Sequence, residues 1–254
     1  MDVLGDLLAR DRRTRDIAVE TDDGRKRSYH QLITNAYKAA NVCRYLGVRA
    51  GATVAVAPIP SLHPLLAFLG AAGLGARVRF DPTAGIDAGD RLVVAPVADE
   101  AALSPPPGTN LAVFGGPPEQ PETTHWEQEL WSENPGMPPA GTTSDDPALV
   151  DAAGTEHAHG AVLDAASGVA AEYDIGPESR VVLRTTFADP RAVAAGVVAP
   201  LAVGGACVLA GSTPPEPDAE PRGDLAVVAD DGECDTSPDG VPEPKRLPLS
   251  AVPL

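Results

Sequence analysis

The chain has 254 residues, of which 43% are apolar and 4% aromatic, and it carries 36 acidic against 19 basic residues for a net charge of −17. This apolar content can build a folded core, and the 25 glycines and 27 prolines show no repeat, so a collagen, a coiled coil and wholesale disorder are excluded. The negative charge disfavours nucleic acids and anionic membranes as partners. Because no apolar run could cross a bilayer and the first residues lack a signal-peptide pattern, we expect a cytoplasmic protein with no membrane partner.

The charge is combined with an unusual scarcity of lysine. The three lysines are Lys26, Lys38 and Lys245, and excess carboxylate with little lysine resembles the cytosolic proteins of halophiles, in which molar salt screens the self-repulsion. Three widely spaced cysteines encode neither a disulfide framework nor a zinc site. Cys43 and Cys207 stand in apolar stretches, which predicts that both are core residues.

The elements at the start of the chain form one recognisable unit. Residues 28–47 are predicted to be a helix, since Ser28 and Gln31 can form a capping box and Gly47 can end it. A strand over 53–57, an apolar helix over 62–74 and a strand over 76–80 then make a β-α-β unit.

The same alternation continues to the end of the chain. Further predicted strands cover 91–95, 111–114, 148–151, 181–185, 206–210 and 224–228, and further predicted helices cover 125–131, 160–172 and 191–203. This order predicts an α/β fold, with a layered, largely parallel sheet flanked by helices. Trp126 and Trp131 are expected to be apolar anchors of the short helix over the sheet.

Composition divides the chain into two parts. Residues 1–210 are predicted to form the α/β domain, with the stretches 103–110 and 115–147 as long surface connections. Residues 211–254 are an acidic, proline-rich tail, expected to be irregular apart from one possible added strand at 224–228.

Five segments in this order resemble the adenylate-forming (AMP-binding) synthetases, the superfamily of the acyl-CoA synthetases. They are Arg27 to Val56, Leu65 to Pro82, Asp145 to Val150, Gly176 to Leu183 and Ala199 to Ala206. Each segment alone is weak evidence, but their consistent order over about residues 14–210 supports the resemblance. It implies the fold of the first subdomain of these synthetases.

The resemblance also points to a candidate nucleotide site after the strand at 148–151. In the family, a loop of the form Tyr-Thr-Ser-Gly-Thr-Thr-Gly-x-Pro-Lys-Gly holds the ATP phosphates. The corresponding stretch 151–160 keeps Gly154, Thr155 and Gly160, but it places Glu156 at a threonine position and His159 nearest the lysine. These five residues are the candidate cofactor-binding residues, and the carboxylate together with the lost lysine predicts a phosphate loop disabled for ATP.

The resemblance does not extend to the family's downstream motifs for adenine, ribose and the catalytic lysine. We therefore expect a truncated, catalytically degenerate relative of the acyl-CoA synthetases with no catalytic residues and no cofactor, acting as a binding or regulatory protein. The alternative is a residual nucleotide- or acyl-CoA-binding enzyme, or half of a split AMP-forming acid-CoA ligase, with ATP, AMP or Mg²⁺ as ligands. A homodimer, or a complex with a full-length synthetase, is expected to cover an apolar face that such a truncated layer would expose.

Two other chemistries have less support in the residues. A metal site built from Asp151, Glu156, His157 and His159 is possible by residue type, but polar residues on a turn of an acidic protein are usually solvated surface. We therefore predict no metal. A hydrolase has no nucleophile motif on which to rest.

Overall fold

A computed structural model describes residues 1–138, 140–211, 222–230 and 241–254. Thirteen strands of these residues form two sheets. The strands are β1 (Ile17–Glu20), β2 (Lys26–Ser28), β3 (Thr53–Val56), β4 (Arg77–Phe80), β5 (Asp90–Pro96), β6 (Asn110–Phe114), β7 (Thr124–His125), β8 (Pro147–Val150), β9 (Glu156–Ala158), β10 (Arg180–Leu183), β11 (Ala206–Leu209), β12 (Leu225–Val228) and β13 (Lys245–Pro248).

The helices lie between these strands in the chain. They are α1 (Tyr29–Tyr45), α2 (Leu62–Gly73), α3 (Trp126–Ser132), α4 (His159–Glu172), α5 (Pro190–Val193) and α6 (Ala199–Val203). A π-helical turn, Ala194–Val198, joins α5 to α6 into one continuous helical segment. None of the helices in the described ranges is both long and apolar enough to cross a membrane.

The strand order makes the α/β class clear. The first sheet has the order β13-β12-β10-β11-β1-β2, and the second has the order β7-β6-β5-β3-β4-β8-β9. Every pair is parallel except the hairpins β1–β2 and β8–β9. The predicted α/β, largely parallel fold is confirmed, with the strands divided between two sheets.

The main core lies between the two sheets. Helix α1 contacts β1 and β2, α2 contacts β3, β4 and β5, and the two helices contact each other. At their crossing, a Cβ on Gly70 would lie 2.7 Å from the backbone nitrogen of Ala40, so only glycine permits this approach. One apolar cluster therefore joins residues of both sheets and the helices between them.

The predicted helix at residues 28–47 is confirmed together with its cap. The Ser28 hydroxyl accepts a hydrogen bond from the N–H of Gln31 (3.3 Å), and the Gln31 side chain accepts one from the N–H of Ser28 (3.0 Å). Cys43 and Cys207 are fully buried, as predicted, while Cys234 lies outside the described residues. The two tryptophans differ, because Trp126 is buried but Trp131 is 84% exposed. The prediction that Trp131 anchors its helix was therefore wrong.

The described residues after 210 contain two strands, where one was predicted. Strand β12 falls within the predicted range 224–228, and β13 pairs with it in parallel from Leu225↔Lys245 to Val228↔Pro248. Both belong to the first sheet, which β12 joins through β10. The division of the chain at residue 210 stays a prediction.

The expected exposed apolar face does not appear among the described residues. Their exposed large apolar side chains are the scattered Met1, Tyr45, Ile59 and Trp131. Val93 of the second sheet and Val182 of the first, which both lie outside the main cluster, are fully buried. The partner expectation itself stays a prediction.

Candidate functional site

A tight turn connects β8 to β9 where the sequence places the candidate phosphate loop. The hairpin pairs Val150 with Glu156, which leaves five residues, 151–155, for the turn. Its backbone is closed by hydrogen bonds from Asp151 N–H to the Thr155 carbonyl (3.0 Å) and from Gly154 N–H to the Asp151 carbonyl (3.0 Å). Gly154 has φ = +84°, a conformation that side chains disfavour. The turn is therefore compact and internally bonded.

The carboxylate of Asp151 accepts hydrogen bonds from the backbone of this turn. Its Oδ1 accepts hydrogen bonds from the N–H groups of Ala153 (2.9 Å) and Thr155 (2.7 Å). The bond from the Thr155 N–H is the main reason why the pKa of Asp151 lies below the usual value for an aspartate. Phosphate-binding loops present such N–H groups to the ligand. Here the chain's own anion already uses two of them.

A cavity of about 620 Å³ lies beside the turn. It is bounded by the turn, by the segments that follow β10 and β12, and by the end of the chain. The lining residues are Asp151, Ala152, Ala153, His157, Thr185, Thr186, Ala188, Asp189, Pro190, Arg191, Ala229, Leu249, Val252 and Leu254. Because β8, β10 and β12 all present their carboxyl ends here, this is the edge of the sheets at which α/β proteins bind ligands.

The charged groups of this cavity are engaged with one another. Asp189 caps α5 by accepting the N–H of Arg191 (2.8 Å), and it also pairs with the Arg191 guanidinium (2.6 Å). That guanidinium lies 3.8 Å from a carboxylate oxygen of Asp230. On the opposite wall, His157 Nε2 lies 3.6 Å from Asp151 Oδ2. Arg191 is therefore shared between Asp189, which lines the cavity, and Asp230, which does not.

The five predicted cofactor-binding residues lie in three different elements. Gly154 and Thr155 lie in the turn, whereas Glu156 begins β9, and His159 and Gly160 begin α4. None of the five is among the residues that line the cavity. Their predicted role in holding a cofactor stays a prediction.

The three residues outside the turn have contacts elsewhere. Glu156 forms an ion pair with Arg77 of β4. His159 is fully buried, and its Nδ1 accepts a hydrogen bond from the N–H of Leu4 (3.2 Å), so it fastens the start of the chain to α4. Burial lowers the pKa of His159. Gly160 donates its N–H to the Ser144 carbonyl (2.8 Å).

Sequence reasoning missed the two residues that determine the chemistry of this cavity. Asp151 was considered only as a metal ligand, although an aspartate directly before a short turn that contains glycine is a recognised side-chain acceptor for turn N–H groups. Arg191 was not singled out, although Asp189 and Pro190 directly before it are a local signal for a helix start. Its second partner, Asp230, is brought close only by the fold. Within the described ranges, no three His, Cys, Asp or Glu side chains converge as metal ligands would.

Comparisons with known proteins find similarity in structure but not in sequence. No family model matches the chain, and no curated protein matches its sequence. Among solved structures, the anthranilate CoA ligase AuaEII in complex with anthranoyl-AMP superposes with a TM-score of 0.76 at 18% identity, covering 89% of this chain and 49% of that one.

Two further ligase structures have the same relation to the chain. A benzoate CoA ligase from Burkholderia xenovorans LB400 gives a TM-score of 0.75 at 20% identity, covering 98% of this chain and 56% of that one. The N-terminal domain of FACL13 from Mycobacterium tuberculosis gives 0.70 at 19% identity, covering 90% and 63%. The chain thus has the fold of part of these ligases and spans about half the length of the first two.

Proposed function

We propose that the chain is a relative of the AMP-forming acyl-CoA ligases that does not form adenylates and acts as a binding or regulatory protein. The fold shared with the CoA ligases supports the relationship. The observation that carries the loss of activity is the Asp151 carboxylate, which accepts the N–H groups of Ala153 and Thr155 inside the turn.

Electrostatic repulsion and the loss of backbone donors disfavour phosphate binding at this turn. A phosphate at the turn would lose two backbone donors to Asp151 and would face a second carboxylate at Asp189. At an effective dielectric near 20, two like charges about 4 Å apart repel by about 4 kcal/mol. Arg191 offers little compensation, because it already pairs with Asp189 and approaches Asp230. The residues present therefore do not fit a bare ATP phosphate chain.

Calorimetric titration with ATP-Mg, AMP and CoA in molar KCl tests the proposal. We expect none of the three ligands to give a saturable heat that depends on Arg191. Micromolar affinity for ATP-Mg that is lost in an Arg191→Gln variant would place a nucleotide in that cavity and contradict the proposal.

A matched pair of variants isolates the carboxylate. Asp151→Gly and Asp145→Gly each remove one negative charge, the first just after β8 and the second just before it, but only the first frees the N–H groups of Ala153 and Thr155. Inorganic phosphate is expected to bind Asp151→Gly more tightly than Asp145→Gly, with circular dichroism checking that both variants are folded. Equal affinities would show that Asp151 is not the obstacle.

A further inference from the structure

A second cavity, of about 780 Å³, lies at the other end of α1 from Gly47. Four elements enclose it: the β1–β2 connection, the first half of α1, the start of α2 and one face of α3. We call it the α1–α3 cavity. Its lining residues are Thr21, Asp22, Asp23, Arg25, Arg27, Gln31, Asn35, Lys38, Pro60, Ser61, Leu62, His63, Leu66, Glu127, Leu130 and Trp131.

Two cations of this cavity have no carboxylate partner. Arg27 donates to the backbone carbonyl of Lys26 (3.0 Å), and Lys38 donates to that of Trp131 (3.4 Å). In the described part of the chain, neither forms an ion pair, whereas the neighbouring Arg25 pairs with Asp23 (3.2 Å). The charge of Arg27 also acts on Asp23, but without a direct ion pair. In a chain with a net charge of −17, two cations without an ion pair at one cavity favour an anionic ligand.

The start of α2 adds further groups that can bind an anion. Ser61 is the N-cap of this 12-residue helix, but its side chain makes no cap hydrogen bond. Its hydroxyl and the Nδ1 atom of His63 are buried without a partner. A helix N-terminus carries a partial positive charge, and a buried polar atom without a partner is costly. A ligand that accepts or donates hydrogen bonds here would satisfy these atoms.

An apolar and aromatic surface lies next to these polar groups. Leu66 and Leu130 are buried side chains at the cavity floor. Trp131 is 84% exposed at its rim, and such an indole face can stack on a flat ring. The exposure of Trp131, which contradicted its predicted role as a core anchor, is explained if the ring is a contact surface.

Two of the three carboxylates at this cavity form ion pairs with arginines. Asp22 pairs with Arg222 (2.9 Å), and Asp23 pairs with Arg25. Glu127 accepts the N–H of Gly115 (2.6 Å), and its carboxylate lies 3.7 Å from His63. Asp22 and Asp23 are therefore neutralised within the protein, whereas Glu127 keeps its charge and one of its oxygens has no hydrogen-bond partner. Arg27 and Lys38 form no ion pair within the described residues and remain available.

We propose that the α1–α3 cavity binds a small ligand in which an anionic group is joined to a flat ring. The anionic group contacts Arg27 and Lys38, and the ring lies between the apolar floor and Trp131. Aryl carboxylates and nucleoside monophosphates share this chemistry. The site is separate from the Asp151 turn, so it is independent of the proposed loss of adenylation.

Calorimetric titration at low salt with benzoate, AMP and inorganic phosphate tests the proposal. Saturable binding of benzoate or AMP is expected, and it should be tighter than that of phosphate. Whichever of benzoate and AMP binds more tightly shows whether the site favours an aryl carboxylate or a nucleoside monophosphate. Arg27→Gln, Lys38→Gln and Trp131→Ala should each weaken it by about fivefold or more, since a partly exposed charge or ring contact contributes about 1 kcal/mol.

Two matched controls lie on α1, outside the cavity. Arg44→Gln removes an exposed cation of α1, and Tyr45→Ala removes an aromatic ring that is 74% exposed; both should leave the affinity unchanged. Three results would overturn the proposal: no binding of benzoate or AMP at millimolar concentration, phosphate binding as tight as that of the ring-bearing anions, or equal weakening by the controls.

Discussion

Breaking the ion pair between Arg184 and Glu243 is expected to destabilise the whole first sheet. Arg184 follows β10 and Glu243 precedes β13, and their side chains are 5% and 0% exposed. The guanidinium donates to the carboxylate through two bonds of 2.8 and 2.6 Å. Glu243 also accepts the N–H of Arg222 (3.3 Å). This pair thus connects the residues after 240 to the centre of the sheet.

The expected cost follows from the burial of both charges. Glu243→Leu leaves the Arg184 guanidinium buried without its partner, which lowers the free energy of unfolding by about 3–5 kcal/mol. For a chain of this size, about 2–4 °C per kcal/mol gives a decrease in Tm of about 6–20 °C. The double variant Arg184→Met with Glu243→Leu should cost much less than the sum of the single variants, because it removes both charges together.

Urea denaturation followed by circular dichroism measures these free energies. Asp23→Asn is the control, since it breaks the Arg25–Asp23 pair, whose side chains are 73% and 52% exposed, and it should change the stability far less than either single variant of the buried pair. Losses below about 1 kcal/mol in both single variants of the buried pair would refute the reasoning. The segment with Glu243 would then not be packed into the sheet in solution.

The same pair predicts an acid dependence of stability. Burial raises the pKa of Glu243, but the hydrogen bonds and charge of Arg184 outweigh this effect and hold its pKa below the usual value for a glutamate. As the pH falls below about 5, the unfolded chain therefore binds the proton first. The contribution of Glu243 is present at neutral pH and lost in acid, so Glu243→Leu should flatten the decline of stability with acidity.

Three further predictions concern salt, assembly and the buried histidine. Tm should rise from tenths molar to molar KCl because screening reduces the repulsion of the net charge of −17; a flat or falling Tm would contradict the resemblance to halophile proteins. Light scattering in molar KCl should give twice the mass of one chain if the expected homodimer forms, and a single-chain mass independent of concentration would remove that expectation. His159→Leu should lower the free energy of unfolding by about 1–3 kcal/mol at pH 7, since it leaves the N–H of Leu4 without its acceptor. Because the pKa of His159 is lowered in the folded protein, the unchanged protein should also lose stability below about pH 6.5. If the His159→Leu variant loses stability in acid to the same extent, His159 is not the source of this dependence.

Local signals predicted the central elements of the fold. The capping box at Ser28 and the apolar spacing after it are properties of neighbouring residues, and α1 forms where they indicate. The β3-α2-β4 unit is equally local, because β3 and α2 are largely apolar runs and β4 alternates arginine with apolar residues. Such elements require no knowledge of distant partners.

The missed strands depend on partners far along the chain. Strand β13 contains Lys245, Arg246 and Pro248, which indicate a loop, and it becomes a strand by pairing with β12. Strand β1 ends at Glu20, whose buried carboxylate accepts a bond from Arg180 (2.8 Å), 160 positions away. Sequence patterns do not contain these contacts, since tertiary pairing decides strand formation at such positions.

At the candidate site, too, residue roles depend on distant partners that the sequence does not reveal. A loop after β8 was predicted from the resemblance of residues 151–160 to a phosphate loop, but the hairpin with β9 was not. The function of each residue was not predicted either, since His159 binds a backbone group 155 positions away and Glu156 pairs with Arg77 in another strand. Both side chains are directed to structural partners that the sequence does not reveal.

Carboxylate-dependent exchange between pyrophosphate and ATP is the measurement that tests the central claim most directly. The 254-residue chain is assayed with short, medium-length and aromatic acids in molar KCl, against a control without protein. Because Asp151 uses the N–H groups of its own turn and Arg191 is already paired, exchange is predicted to equal the control with every acid. Exchange above the control that disappears in Arg191→Gln would show that this cavity forms adenylates, and the proposed function would be wrong.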